Sequence, residues 1–223
     1  MSGMTIPDNW TFKDASVAEH FAEHVREQLP WYSLATDAVA HVVRHYLPKG
    51  GIVYDIGASE GNIGRAIAPT LAARNAYLVA VEESPDMVAR YNAPGEVVAS
   101  DALSVDFRQF DVGVLFLVLM FMGVEDRKTL LTRLWGKLNR GGCLVIFDKI
   151  HQPGGYAGTV LRRLTMSWKL NQGAKPEAIL SKELSLAGVQ RPLRPDFLTE
   201  LGLPHRVFFV FGEFAGWLVE KPE

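Results

Sequence analysis

The stretch "IVYDIGASEGNIG", residues 52–64, decides how this chain folds. Five β-prone residues (52–56) run into Gly57, and a helical pattern opens just after Gly61 and continues to residue 73. A strand, a glycine-rich turn and a helix in that order form the βα unit of a parallel sheet, and ligands of such sheets bind at the strands' carboxyl ends. Gly57, Gly61 and Gly64 resemble a dinucleotide fingerprint with altered spacing. The acids argue against one. Asp55 precedes the turn and Glu60 lies within it, where a pyrophosphate would be repelled.

Working outward, β-rich runs occur at 52–56, 77–81, 96–98, 110–119, 143–147, 207–211 and 213–219. Helical patterns occupy 62–73, 85–91 and 127–138 between the early runs, so strands and helices alternate as in right-handed βαβ units. Two further helices are expected upstream. One spans 14–29, with Val17, Phe21, Val25 and Leu29 at spacing four before Pro30; the other spans 35–46. The last two β-rich runs are separated only by Gly212, too short for a crossover, and must pair as an antiparallel hairpin. The expected fold is α/β: a Rossmann-like, mostly parallel seven-stranded sheet with an antiparallel C-terminal hairpin. Residues 1–223 read as one domain, with 1–48 a helical cap and 150–190 an insert of helices.

Bulk properties narrow the classes. The 223 residues are 48% hydrophobic and 22% charged with net charge −2, which excludes a globally basic nucleic-acid binder. The single Cys143 allows neither an internal disulfide nor a cysteine zinc cluster, so a reducing compartment is expected and no metal site is read. No apolar run reaches the roughly 18 residues of a membrane span, and "MSGMTIPDNW" has no signal-like features, so a cytoplasmic location away from membranes is expected.

Three acids at successive strand ends suggest the ligand. Asp55 ends the first strand, suited to an ammonium group beside the glycine turn; Glu82 ends the second, suited to a ribose 2′,3′-diol; Asp101 follows the third, suited to an adenine amino group. Each acid alone reads as a helix cap or a solvated loop residue. Together they fit S-adenosylmethionine, whose sulfonium and ammonium tolerate the acids and which carries no pyrophosphate.

"NWTF", "PWYS", "VYDIGASEGNIG", "VEESPDM", "LNRGGCLVIFDK" and "FAGWLVEK" resemble the carboxy-S-adenosylmethionine synthase group, within the class I S-adenosylmethionine-dependent methyltransferase fold. The resemblance covers almost the whole chain. In that group the methyl group of S-adenosylmethionine is carboxylated at the expense of prephenate, and the product serves tRNA wobble-uridine modification. The resemblance implies that Tyr32 reaches the cofactor, that Gly57, Ala58 and Ser59 form its loop, that Glu82 and Glu83 meet the ribose, and that Asp101 and Ala102 meet the adenine. It also implies a homodimer, built in part by the insert, which covers the pocket. Two positions depart. Phe116 stands where the synthase group has asparagine, and Glu183 aligns with the arginine that takes the added carboxylate. An acid there repels a carboxylate, leaving Arg191 or Arg194 as the replacement cation.

Methyl transfer is an in-line displacement that depends mainly on positioning and exclusion of water. Neither an Asp/Asn-Pro-Pro-aromatic turn nor a Pro-Cys nucleophile is present, and Cys143 reads as a buried strand residue. Asp148, Lys149 and His151, just past the fifth strand, are the candidate catalytic groups, with His151 suited to base catalysis or equally to a solvated loop. In the insert, Tyr156, Val160, Leu164 and Trp168 recur at spacing four, as on one helix face. Residues 149–194 carry eight Lys/Arg against two Asp/Glu, a local +6 that leaves −8 on the rest of the chain. That asymmetry suits an anionic substrate or nucleic acid, although a solvated helical face is the plainer account. The expected function is methyl transfer from S-adenosylmethionine to a small or nucleotide-like acceptor. A carboxy-S-adenosylmethionine synthase-like enzyme, holding the carboxylated derivative, and a non-catalytic cofactor-binding regulator are the alternatives.

Overall fold

A computed structural model describes residues 7, 10–12, 19, 25, 26, 28–152 and 154–223. Most of the first expected helix, 14–29, lies outside the described residues. The remaining elements follow in chain order: α1 (Tyr32–Tyr46), β1 (Ile52–Ile56), α2 (Asn62–Arg74), β2 (Tyr77–Glu82), α3 (Pro85–Arg90), β3 (Glu96–Ala99) and β4 (Phe110–Phe116). After a 3₁₀ turn (Leu119–Phe121) come α4 (Val124–Lys137), β5 (Leu138–Lys149), α5 (Tyr156–Asn171), α6 (Pro176–Ser185), α7 (Phe197–Glu200), β6 (His205–Phe211) and β7 (Phe214–Glu220).

The seven strands form one sheet in the order β3-β2-β1-β4-β5-β7-β6. β1 to β5 pair in parallel, whereas β7 runs antiparallel to both β5 and β6. The expected architecture, with its C-terminal hairpin, is the one observed. Chain order reverses between β1 and β4, which creates the crevice in which such sheets bind ligands.

Alternation along the central strands explains the two layers. Val112, Val114 and Phe116 of β4, with Cys143, Val145 and Phe147 of β5, face the apolar sides of α1 and α2. Leu115, Leu144 and Ile146 face the other way, onto Leu130, Leu131 and Leu134 of α4 and onto Leu193, Phe197 and Leu198. Because both faces are covered, these strands read as continuous apolar runs. Cys143 is fully buried, as expected of a strand residue, and burial raises its thiol pKa far beyond the usual range.

Several bounds shift, that of β5 most, expected over 143–147 and spanning Leu138–Lys149, and two further features go beyond the sequence reading. β4 ends at Phe116, not at residue 119, because Leu117 turns to φ +63° while its N–H donates to the Phe147 carbonyl at 2.7 Å. The next residues then close a 3₁₀ turn at the mouth of the crevice. Second, α5 does not bury its spacing-four apolar stripe: Tyr156, Val160, Leu164 and Trp168 are all exposed, and its buried residue is Lys169.

Candidate active site

The loop after β1 forms one wall of the crevice. Gly57 has φ +69°, and a Cβ there would stand 2.6 Å from Val118 Cγ2. The N–H groups of Gly57 and Ala58 both donate to the Val81 carbonyl, at 2.8 and 3.0 Å, which ties the loop to β2. Gly61 begins α2 at φ +85°, and a Cβ on it would stand 2.7 Å from the Cβ of Ala93. Its glycine is therefore needed for backbone conformation and packing, and it does not line the cavity.

Asp55 is almost fully buried, and its Oδ2 has no hydrogen-bond partner among the described residues. Burial, reinforced by the charge of Glu82, raises its pKa to about 7. Such an orphaned carboxylate is a poor structural residue and a good receptor for a cation. Glu82, also buried, is held by backbone donors: Ser59 N–H to Oε2 and Ser84 N–H to Oε1, each at 2.8 Å. Burial raises its pKa while these donors oppose the rise. A carboxylate has about four lone-pair sites, so two fixed bonds orient Glu82 and still leave acceptors for a diol. Glu60 is outside the cavity lining, half-buried, with burial raising its pKa against the nearby charges of Arg90, Arg65 and Arg26. The acid within the turn thus faces arginines and does not face the ligand.

One cavity at the strand ends gathers most of the expected residues: Tyr32, Asp55, Gly57, Ala58, Ser59, Glu82, Glu83, Asp101, Ala102 and Phe116. Tyr32 and Phe116 meet edge to face with centroids 5.4 Å apart, and burial holds the Tyr32 hydroxyl up at about 12. Asp101 is exposed at the rim, its Oδ1 accepting from Leu103 N–H at 2.9 Å, which fixes the loop after β3. The same cavity is lined by residues that the sequence did not single out, among them Trp10, Phe12, Gln28, Met120, Phe121, Lys169 and Lys182.

At the far end the structure redistributes the candidates. Glu183 lines the cavity and pairs with Lys169, Oε1 to Nζ at 3.5 Å. Lys149 lines it too, donating to Gln190 Oε1 at 3.0 Å. Arg194 does not line it: its guanidinium lies on the surface between Asp196 at 2.8 Å and Glu200 at 2.7 Å. Arg191 is exposed and also outside the lining, with its carbonyl engaged by the Arg127 guanidinium at 2.6 Å. Neither arginine supplies the cation expected of it. Asp148 is fully buried beneath the 3₁₀ turn, accepting from Met120 N–H at 3.2 Å and Lys149 N–H at 2.8 Å, with its pKa raised by burial to about 7. It braces the turn and lies outside the cavity, so it is a structural acid. His151 is exposed and borders a second cavity that shares Lys149, Thr165, Lys169 and Glu183 with the first.

The sheet order and the crevice at β1 and β4 define a class I methyltransferase fold. Two solved structures share it: human N-acetylserotonin methyltransferase in complex with S-adenosylmethionine (12% identity, TM-score 0.60, covering 95% of this chain and 58% of that one), and a TehB-like S-adenosylmethionine-dependent methyltransferase from Corynebacterium glutamicum (17% identity, TM-score 0.55, covering 93% of this chain and all of that one, 100%). A family model described as a methyltransferase domain matches residues 54–146. More particularly, the chain is similar to carboxy-S-adenosyl-L-methionine synthases: 28% identical over 192 residues to that of Staphylococcus epidermidis, covering 84% of each, and 27% identical over 229 residues to that of Pectobacterium atrosepticum, covering 96% of this chain and 92% of the relative. These similarities imply S-adenosylmethionine as the cofactor. No helix among the described residues is long and apolar enough to cross a membrane.

Proposed function

We propose that the chain is a cytoplasmic methyltransferase that moves the methyl group of S-adenosylmethionine to a small or nucleotide-like acceptor. The observation that carries this over carboxyl chemistry is that no arginine among the described residues lines the cavity, and that Glu183, at the position which the resemblance assigns to the synthase group's arginine, stands in its wall paired with Lys169. The cofactor supplies an electrophilic methyl group on a sulfonium. Asp55 would hold its ammonium, Glu82 with Glu83 its ribose, Asp101 with Ala102 its adenine, and Gly57, Ala58 and Ser59 the loop against its methionine part. Tyr32 and Phe116 close the sulfur end with ring edges and faces, keeping water from the displacement. A displacement of this kind is controlled by orientation.

The relatives' names favour a second reading, a carboxy-S-adenosylmethionine synthase-like enzyme using prephenate. Mass spectrometry of ligand released from the purified protein separates the two. S-Adenosylmethionine or S-adenosylhomocysteine supports methyl transfer, and the carboxylated cofactor refutes it. We further propose a homodimer through α5, supported by its outward apolar stripe, on which Tyr156 is 77% exposed and Val160 45%.

A further inference from the structure

Two lysines in the cavity wall have no place in cofactor binding as described above. Lys169 of α5 and Lys182 of α6 are both buried; Glu183 pairs with Lys169, which also feels Glu213, whereas Lys182 feels Glu183 alone. The Lys182 amine lies over the face of the Trp10 ring. Burial, then the neighbouring Lys169, pushes the Lys182 pKa down to about 5, while burial pulls that of Lys169 down against the opposing pull of Glu183. Lys182 has no carboxylate of its own among the described residues, so near neutral pH it is held uncharged until an anion comes beside it.

The surroundings show what would balance it. Lys169 and Glu183 stand in the partition between the cofactor cavity and the second cavity. That second cavity is lined by Lys149, Arg162, Arg163 and Lys169 against Glu183 and Glu213. Four cations against two acids in one concavity focus a positive potential on the passage. On the cofactor side, Trp10, Phe12, Phe121 and Leu186 form an apolar cluster beside Lys182. Five of the eight cations of residues 149–194, Lys149, Arg162, Arg163, Lys169 and Lys182, thus line the two cavities and are not only a solvated face.

We propose that Lys169 and Lys182 form the recognition site for an anionic group on the acceptor, a carboxylate or phosphate monoester on an apolar body that enters through the second cavity. This deepens the methyl-transfer reading and rests on it. The anion supplies the counter-charge that Lys182 lacks beside the Lys169–Glu183 pair, and the Trp10 cluster receives the apolar body. Placing the anion at the partition brings the rest of the acceptor toward the Tyr32–Phe116 end of the cofactor cavity.

The test is calorimetric titration of protein saturated with S-adenosylhomocysteine, using phenylacetate, phenyl phosphate and neutral phenylacetamide. At least one anion is expected to bind ten-fold or more tightly than the amide, and whichever wins distinguishes carboxylate from phosphate. Lys169→Met and Lys182→Met should each remove most of that preference. Glu183→Gln, which removes the competing acid and leaves both lysines, should strengthen anion binding several-fold. Equal binding of anion and amide, or no binding of either anion, overturns the proposal, as does anion affinity unchanged or lowered in Glu183→Gln. Competition by a single-stranded oligonucleotide with no binding of the small anions would assign the cations to a nucleic-acid surface and also overturn it. Failure of S-adenosylhomocysteine itself to bind would instead refute the underlying cofactor reading.

Discussion

Asp55→Asn should separate ligand binding from folding. Burial and the charge of Glu82 raise the Asp55 carboxyl from 3.8 to about 7. A carboxyl whose folded value lies above its unfolded one favours the fold fully at pH below the unfolded value, and that contribution is lost as pH rises through the folded value. The window is therefore about pH 4 to 7. Each unit corresponds to about 1.4 kcal/mol, so between pH 5 and 8 the wild type should lose about 3 kcal/mol relative to Asp55→Asn, an order-of-magnitude figure. Parallel urea denaturations at pH 5, 6, 7 and 8 measure that difference directly. Cofactor binding should reverse the preference. The variant should lose about 1.5–3 kcal/mol of S-adenosylmethionine affinity, the range for a hydrogen bond to a charged group, and wild-type affinity should rise with pH up to about 7 and then level off. Stability curves that run parallel across this range, or cofactor affinity untouched by the substitution, would refute the assignment of Asp55 as a buried carboxylate waiting for a cation.

Glu82→Ala should weaken S-adenosylmethionine binding by about 1.5–3 kcal/mol in calorimetry and loosen the Ser59 and Ser84 amides it holds. Gly57→Ala places a Cβ against Val118 at φ +69° and should lower stability by about 1–2 kcal/mol in denaturant melts. Asp148→Ala should destabilise by about 1–3 kcal/mol, since Met120 and Lys149 lose their acceptor, and a normal melting curve would return Asp148 to the list of catalytic candidates. Leu164→Glu on the outward stripe of α5 should shift the protein from dimer to monomer in sedimentation velocity, and an unchanged sedimentation coefficient would remove that stripe from the interface.

The ligand-binding half was readable because its signals are local. The strand bounds of β1, the glycine turn and the acids at the ends of β1, β2 and β3 follow from residues adjacent in sequence, and the sheet then carries them to one crevice. The acceptor half was not, because burial is decided by tertiary packing. Spacing puts the apolar residues of α5 on one face, but only packing shows that this face points out while Lys169 points inward. Lysine in a sequence signals solvent, so neither Lys169 nor Lys182 could be told from the surface cations Arg162 and Arg163 around them. The same limit misplaced Arg194, whose partners Asp196 and Glu200 lie within six residues and offered a local alternative to the cavity. Trp10 gave no periodic pattern of its own; its place beside Lys182 comes from the chain returning to α6, where its backbone N–H donates to the Ser185 carbonyl at 3.0 Å.

Methyl transfer is measured most directly by following the methyl carbon itself. Purified protein is given S-adenosylmethionine labelled in its methyl carbon together with a small-molecule extract. Label is expected in a new small-molecule product, with S-adenosylhomocysteine released in equal amount. Label that stays on the sulfur, whether as intact cofactor or as its carboxylated derivative, would contradict methyl transfer.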